Sequence, residues 1–225
     1  MFIILANWGS YKIGTKKLFW ENPYQKECTA RVVDINHDKI VLDQSVFYAE
    51  SGGQESDSGT IGDYEVIKAE KQEDIIIYTL NRPYAGNVGD EVKVKIDWEK
   101  RYNIMKLHSV QHIVAEYVMQ KYENVKDCGS AVSSSKARID FAGIKFAEIL
   151  QDIENNVHVF LQTNKLIETY FDPNDAKMRL WRMADFATMN CAGTHVKNTS
   201  EIGKIKLKRK SGGANRDRIE IYLAE

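Results

Sequence analysis

Two pairs of metal-binding residue types lie far apart in this chain, and both have the same internal spacing. His108 and His112 are four residues apart in the apolar segment 107–114, which on an α-helix places their rings on one face, about 40° apart. Cys191 and His195 are also four residues apart, in a segment typical of a turn. Three imidazoles and one thiolate are a ligand set for tetrahedral zinc. The pattern therefore predicts that the two segments fold together around one zinc ion per chain.

Each pair also has an ordinary structural interpretation when it is taken alone. His108 and His112 are compatible with a helix face that carries two hydrogen-bonded imidazoles, and Cys191 is compatible with a small buried thiol. With 5 His and 3 Cys in 225 residues, chance produces either spacing in roughly one chain in ten, but both together in under about 1%. The combination therefore favours a metal site over either single pair.

Composition narrows the class of protein. A net charge of −1 over 225 residues provides no global positive field, so any nucleic-acid binding requires local basic patches. Three widely spaced cysteines do not make a disulfide framework and indicate a reducing compartment. No apolar run approaches the ~18 residues of a membrane span. We therefore expect a cytoplasmic monomer of one large or two small domains, without a membrane or an obligate protein partner.

The first part of the chain has the pattern of a β-domain. Between Glu27 and Ile96, short β-branched segments are separated by Asn, Asp, Gly and Pro, which predicts a small β-barrel or sandwich. One loop in this part, Phe47–Gly59, is long and has two glycines at its centre. On composition alone, a flexible hairpin tip is favoured there by about two to one.

The periodicity changes from two to 3.6 near Asp97, which is a plausible helix N-cap. A helix over 98–122 carries the paired histidines, and a second helix is predicted over 146–161, each among strands. The prediction is an α+β fold made of two domains. These are a β-barrel domain, 1–96, and a zinc-binding domain, 97–225.

Four motifs follow one another along residues 26–222. They are Phe47–Gln54 with Asp57 and Gly59; Asp97–Arg101 leading to His108 and His112; Gly129–Val132 with Arg138–Phe141; and Cys191–Val196 with Ile202–Gly203, Ser211–Gly212 and Arg218–Glu220. Together and in this order they resemble the editing domain of alanyl-tRNA synthetase. More closely, they resemble its free-standing relatives, the AlaX proteins of medium length.

The resemblance implies a small N-terminal β-barrel and a two-layer α/β editing domain of the alanyl/threonyl-tRNA synthetase type. It also implies hydrolysis of the ester in tRNA(Ala) mischarged with Ser or Gly, with zinc as cofactor and that tRNA as partner. Two positions depart from the family pattern. Ala192 stands where the family usually has Gly, and the turn before Arg218 is about one residue shorter, which leaves the role of Arg216 open.

Specific roles are expected for the residues of these motifs. Gln54 is the candidate catalytic residue, holding the substrate or the water, and the glycines before it would let the loop close over the site. Four protein ligands would close a zinc site, whereas catalytic zinc usually keeps a position open. Whether the metal becomes five-coordinate, loses a ligand or only positions the substrate stays open. The expected zinc ligands are His108, His112, Cys191 and His195, and the expected substrate-binding residues are Gly52, Gly53, Asp57, Thr194 and Arg218.

Two other functions are compatible with the same residues. The first is a tRNA-binding module without catalysis, in which zinc is structural and Lys204, Lys206, Lys208 and Arg218 contact phosphates. The second is a zinc hydrolase of a small ester or amide, which would be active without tRNA. The order and number of the motifs favour the editing hydrolase.

Overall fold

The computed structural model describes residues 14–213 and 216–224 and has a mixed α/β architecture. The predicted α+β class is confirmed. Residues 1–13, which belong to the predicted first domain, lie outside the described residues. The elements of the first half are β1 (Lys16–Lys17), α1 (Leu18–Glu21), β2 (Glu27–Asn36), β3 (Lys39–Leu42), β4 (Gln44–Ser45), β5 (Gly59–Ile61), β6 (Tyr64–Gln72), β7 (Ile75–Leu80) and β8 (Glu91–Ile96).

The elements of the second half begin with the long helix that carries the paired histidines. They are α2 (Trp98–Lys121), β9 (Lys126–Val132), β10 (Ala137–Ala142), α3 (Leu150–Leu161), β11 (Glu168–Asp172), β12 (Asp175–Met183), β13 (Ala187–Asn190), β14 (Ile205–Ser211) and β15 (Arg216–Leu223). A 3₁₀ turn at Thr199–Glu201 precedes β14. No helix among the described residues is long and apolar enough to cross a membrane.

Six strands of the first half are hydrogen-bonded in the order β2-β3-β7-β6-β5-β8, which closes into a barrel. Strand β8 shows why its sequence suits that position. Val94 and Ile96 are 0% and 3% exposed, whereas Lys93 and Lys95, which alternate with them, face solvent. This alternation follows the period of two that a half-buried strand requires, and it fills the barrel interior with β-branched side chains.

Helix α2 has almost the bounds that the sequence predicts. The Asp97 side chain accepts a hydrogen bond from the backbone N–H of Lys100 at 3.1 Å, a cap that stabilises a helix by about 1 kcal/mol. Ile104, Leu107 and Val114 are fully buried against the second half of the chain. The helix packs on β9, β10 and β15, so its histidines are held by a rigid element.

The second half combines a four-stranded sheet, in the order β14-β15-β10-β9, with a three-stranded sheet, β11-β12-β13. Helix α3 begins at Leu150, four residues later than predicted. The backbone N–H of Phe146 donates to the buried Asp217 carboxylate at 2.9 Å, and residues 147–149 form turns before the helix. Phe146 therefore joins the core from the segment that precedes the helix.

A buried ion pair connects the two halves of the chain. Arg101, in the first turn of α2, is fully buried and pairs with both oxygens of Asp57. Asp57 belongs to the glycine loop, residues 47–59. The remaining donors of Arg101 reach the carbonyls of Val46 (2.7 Å) and Pro23 (3.1 Å). Because every partner lies before α2 in sequence, this side chain fixes the loop against the helix.

Candidate metal centre

The two histidines of α2 lie side by side and face the segment that follows β13. Their ring centroids are 4.7 Å apart. The backbone N–H of Cys191 donates to the carbonyl of Arg179 at 2.9 Å. The backbone N–H of Val196 donates to Oγ of Ser109 on α2 at 3.1 Å. The segment is therefore held at both ends, by β12 and by α2, and it brings Cys191 and His195 to the paired histidines.

The donor atoms converge as the two sequence pairs predict. The Sγ atom of Cys191 lies 3.3 Å from Nε2 of His112, and 3.5 Å from Nε2 of both His108 and His195. All four donor atoms are within 4.8 Å of one another. In tetrahedral zinc sites with Zn–S near 2.3 Å and Zn–N near 2.0 Å, sulfur and nitrogen are separated by roughly 3.5 Å. The spacing of this cluster therefore fits a zinc ion.

Burial keeps the cluster uncharged in the absence of a cation. Desolvation lowers the pKa of His112 to about 4 and lowers the pKa values of His108 and His195 well below their ordinary range. Desolvation also raises the pKa of the Cys191 thiol to about 11. Neutral imidazoles are the form that binds metals, and a binding cation must displace the thiol proton. The neutral imidazoles therefore suit a cation site, whereas ionisation of the thiol depends on the bound metal.

Gln54 lies directly behind one of the donors. Its side chain is 1% exposed, and its Oε1 accepts hydrogen bonds from Nδ1 of His108 (2.9 Å) and from the backbone N–H of Thr194 (3.0 Å). Its Nε2 donates to Oγ1 of Thr194 at 3.0 Å. Because Nδ1 of His108 is the donor to this oxygen, its Nε2 carries a lone pair toward the cluster.

The close packing of Gln54 against His108 depends on the absence of a side chain at Gly193. A Cβ at Gly193 would lie 2.3 Å from Cε1 of His108 and 2.6 Å from Oε1 of Gln54. Both distances are shorter than any contact that real Cβ atoms make. The glycine between Cys191 and His195 is therefore required by space, in addition to the turn that the sequence predicts.

Two family models match this chain. One, described as tRNA synthetases class II (A), matches residues 11–100. The other, the Threonyl and Alanyl tRNA synthetase second additional domain, matches residues 178–220 and so includes Cys191 and His195. A relative from Pyrococcus horikoshii, an alanyl-tRNA editing protein, AlaX-M, is 36% identical over 93% of this chain and 98% of its own length.

The chain belongs to the AlaX family of alanyl-tRNA editing proteins.

AlaX chains have larger relatives among the alanine–tRNA ligases. Those of Sulfurisphaera tokodaii and Ignicoccus hospitalis are each 32% identical to this chain, over 86% and 90% of its length. The matched regions are 24% and 25% of those ligases. The chain therefore spans about a quarter of the ligases that it resembles.

The glycine loop of this AlaX-family chain is paired with a strand of the second half. The carbonyl of Gly53 accepts from the backbone N–H of Val132 on β9 at 2.8 Å, and the N–H of Glu55 donates to the carbonyl of the same Val132 at 2.9 Å. A Cβ at Gly53, where φ is +82°, would lie 2.8 Å from the Ser130 carbonyl oxygen. The loop does form a tight hairpin, because Ser51 and Gln54 exchange backbone hydrogen bonds at 3.0 and 3.3 Å. It is not a free tip, because a backbone contact that only glycine permits holds it against β9.

The remaining residues predicted to bind substrate divide into two groups. Thr194 is 1% exposed and bonded to Gln54, beside the donor cluster. Asp57 is 6% exposed, and its carboxylate is engaged by Arg101 and by the backbone N–H of Tyr48 (2.7 Å). Arg218 pairs with Asp140 at 2.6 Å across β15 and β10. The structure thus brings Thr194 to the cluster, whereas the partners of Asp57 and Arg218 lie elsewhere.

Three residues that adjoin the donor cluster are not predicted from the sequence. Ser109 is fully buried and connects α2 to Val196, and its only signal is a polar residue next to His108 on an apolar helix face. The indole Nε1 of Trp20 donates to the carbonyl of Ala192 at 2.9 Å. The backbone of Arg179 holds Cys191. The last two contacts join segments that are distant in sequence, so no local pattern indicates them.

Proposed function

We propose that this chain is a deacylase that removes Ser or Gly from mischarged tRNA(Ala), acting as a cytoplasmic monomer. The observation that carries the proposal is the cluster of three imidazoles and one thiol, in a chain that matches an alanyl-tRNA editing protein over nearly its full length. In the reaction, water adds to the ester carbonyl and the bond to the ribose oxygen breaks. The products are a free amino acid and a tRNA with a free terminal hydroxyl.

Four side chains would hold the zinc ion: His108, His112, Cys191 and His195. Bound there, zinc would polarise the ester carbonyl or lower the pKa of a water molecule. The chain's own contribution is to keep the donors in place. Helix α2 fixes two of them, and the hydrogen bonds of Cys191 and Val196 fix the segment that carries the other two.

Gln54 acts in this proposal by positioning His108 and Thr194. Its oxygen holds the His108 ring in the tautomer whose Nε2 is a ligand, and its amide N–H₂ occupies a lone pair of the Thr194 hydroxyl. Partners of this type raise the metal affinity and orient the ligand ring. A direct contact of Gln54 with the substrate or the water stays a prediction.

Preference for a seryl ester over an alanyl ester follows from the cost of leaving polar groups of the pocket unpaired. A pocket that hydrogen-bonds the hydroxyl of a seryl ester leaves its own polar groups unpaired when an alanyl ester is bound, and buried unpaired groups are costly. Correctly charged Ala-tRNA(Ala) would therefore react slowly. The Thr194 hydroxyl, beside the cluster, is the proposed partner of the substrate.

The division of labour between the two halves is part of the proposal. Residues 1–96 would form a β-domain that presents Gly52, Gly53 and Gln54 to the metal domain, 97–225. Asp57 would act on the substrate indirectly, by fixing the loop through Arg101. Arg218, on the four-stranded sheet and 35% exposed at its side chain, would contact the tRNA away from the ester.

Deacylation of Ser-, Gly- and Ala-tRNA(Ala), measured side by side with and without a chelator, tests the proposal. We expect release of Ser or Gly that stops when the chelator removes the metal, and little release of Ala. Binding of tRNA without release of any amino acid would support the non-catalytic module instead. Hydrolysis of small esters in the absence of tRNA would support the third function.

The cysteines provide a matched pair of variants for this test. Cys191→Ala removes a donor, so we expect loss of bound zinc and of deacylation. Cys128→Ala changes an exposed cysteine outside the cluster and should preserve both. Full turnover by Cys191→Ala without bound metal would show that the cluster is not the reactive centre.

A further inference from the structure

Arg179 is a largely buried cation that makes no ion pair with a carboxylate in the part of the chain that the structure describes. Its side chain is 5% exposed, and its Nε has no hydrogen-bond partner. Within residues 14–213 and 216–224, its guanidinium forms no ion pair and no hydrogen bond. Arg101 is a useful comparison, because it is fully buried and its guanidinium is bonded to a carboxylate and two carbonyls. A buried guanidinium normally requires such partners, so Arg179 is built to receive an anion.

Two aromatic rings pack against this guanidinium, and the Cys191 thiol is close enough to interact with it electrostatically. The guanidinium lies 5.6 Å from the ring centroid of Trp20 and 4.8 Å from that of Phe171, and the two rings meet edge to face at 5.7 Å. Cation–π contacts recover part of the cost of burial, but they leave the N–H donors of the guanidinium unused. Phe171 is 43% exposed, an unusual fraction for a large apolar ring, so its outer surface is available for stacking.

The group formed by Arg179, Trp20 and Phe171 adjoins the proposed metal centre through two backbone contacts. The carbonyl of Arg179 accepts from the backbone N–H of Cys191, and Nε1 of Trp20 donates to the carbonyl of Ala192, both at 2.9 Å. A small pocket beside Trp20 and Ala192 is also lined by Lys17 and Lys71, which add positive charge. An anion held by Arg179 would therefore lie next to the ester that the metal cluster is proposed to hydrolyse.

The nature of the anion follows from the proposed function, on which this inference rests. The scissile ester is carried by the last ribose of the RNA, so the nearest anion is the phosphate of that same nucleotide, and the nearest flat surface is its base. Arginine is suited to phosphate because its donors match phosphate oxygens pairwise. Aromatic side chains are suited to unpaired bases through stacking.

We propose that Arg179, Trp20 and Phe171 form the receptor for the 3′-terminal nucleotide of the tRNA. Arg179 binds the 5′-phosphate of the terminal adenosine, and the two rings pack against its base. The receptor anchors the nucleotide while its acylated ribose reaches the donor cluster.

A pair of minimal substrates tests the phosphate contact. They are 3′-O-seryl-adenosine and the same ester with a 5′-phosphate. We expect the wild type to prefer the phosphorylated ester by about 10- to 100-fold in kcat/KM, the range for one charge-assisted contact. Arg179→Gln should lose this preference, mainly through KM, and Arg179→Lys should keep part of it. Arg182→Gln, on the same strand but paired with Glu168 at the surface, should keep all of it.

The outcomes separate the receptor from the function on which it rests. No serine release by the wild type from seryl-tRNA(Ala) would overturn the proposed function. Release from seryl-tRNA(Ala) together with equal rates on the two minimal esters, or an unchanged preference in Arg179→Gln, would overturn the receptor alone. A purely structural role of Arg179 would lower both rates equally and leave the preference intact.

A second variant keeps the test decisive if Arg179→Gln fails to fold or to bind zinc. Phe171→Leu changes a half-exposed ring and should retain the fold and the metal content. We expect its KM for seryl-tRNA(Ala) to rise about fivefold or more, as lost base stacking predicts, with kcat nearly unchanged. An unchanged KM in this variant would overturn the receptor.

Discussion

Nδ1 of His108 donates a hydrogen bond to the side-chain oxygen of Gln54 at 2.9 Å, across 54 positions of sequence. The bond joins the glycine loop of the first half to the metal helix of the second. It gives the loop a role that its composition does not indicate, namely to set the orientation of a metal ligand. The first prediction concerns this bond.

Gln54→Ala should lower the zinc affinity about 10- to 100-fold, the usual effect of removing a hydrogen-bond partner of a metal ligand. The reason is that the His108 ring loses the acceptor that fixes its tautomer. Competition against a chromophoric chelator measures the affinity. Gln72→Ala, at an exposed position of β6, is the control and should bind zinc like the wild type. Unchanged affinity in Gln54→Ala would show that the bond does not support the site.

Gly193→Ala should disrupt the same region by crowding. The added methyl group would lie 2.3 Å from the His108 ring, so the ligand or the loop must move, at a cost of about 1–3 kcal/mol. We expect weaker zinc binding and a lower unfolding free energy, by calorimetry of the metal-loaded protein. Gly62→Ala is the matched variant, because its Cβ would meet nothing within 4 Å although φ is +55°. It should cost about 1 kcal/mol of backbone strain and keep its zinc affinity.

Asp57→Asn should destabilise the fold strongly, because it leaves the buried Arg101 without its counter-charge. Removing one member of a buried ion pair costs about 3–5 kcal/mol, which urea unfolding measures directly. Glu27→Gln breaks a surface pair with Lys93 at 2.9 Å and should cost less than about 1 kcal/mol. Equal losses in the two variants would contradict the role assigned to burial.

Acid should weaken the fold through Glu220. Hydrogen bonding to Lys136 at 2.6 Å, with Lys210 and Tyr222 also in contact, lowers the pKa of this carboxyl to about 2. Its pKa in the unfolded chain is near ~4.3. Because the folded value is the lower one, the stabilisation is complete above about pH 4.5 and is lost as the pH falls toward 2.

The corresponding measurement compares the wild type with Glu220→Gln in urea at pH 7, 4.5 and 3. We expect the wild type to be more stable at pH 7 and the difference to shrink as the pH falls. The metal ligands are common to both proteins, so their titration cancels in the difference. A difference that stays constant with pH would rule out the ionised carboxylate as its source.

Local patterns predict the helix that positions two of the donors, and also the longer β-strands between Glu27 and Ile96. The bounds of α2 and the placement of its histidines follow from helical periodicity, because apolar residues recur at the spacing that buries one face of a helix. The start of α3 does not, since residues 147–149 form turns although the apolar spacing from Phe146 continues the helical pattern. Periodicity also missed β1 and α1, which are too short to show it.

The contacts that hold the metal site in place could not be predicted from local sequence patterns. The pairing of Gly53 with Val132 and the bond from Trp20 to Ala192 connect residues that are far apart along the chain. Such contacts depend on how the halves pack. The motifs identify Gln54, but they do not show that its side chain lies behind His108.

Two tryptophans give the centre an intrinsic optical readout. The indole of Trp20 is bonded to the carbonyl between two donors, and the buried Trp181 lies 5.2 Å from the His112 ring. Uptake or loss of a cation would alter the surroundings of both indoles. Their ultraviolet emission would therefore follow occupancy in real time, without a label.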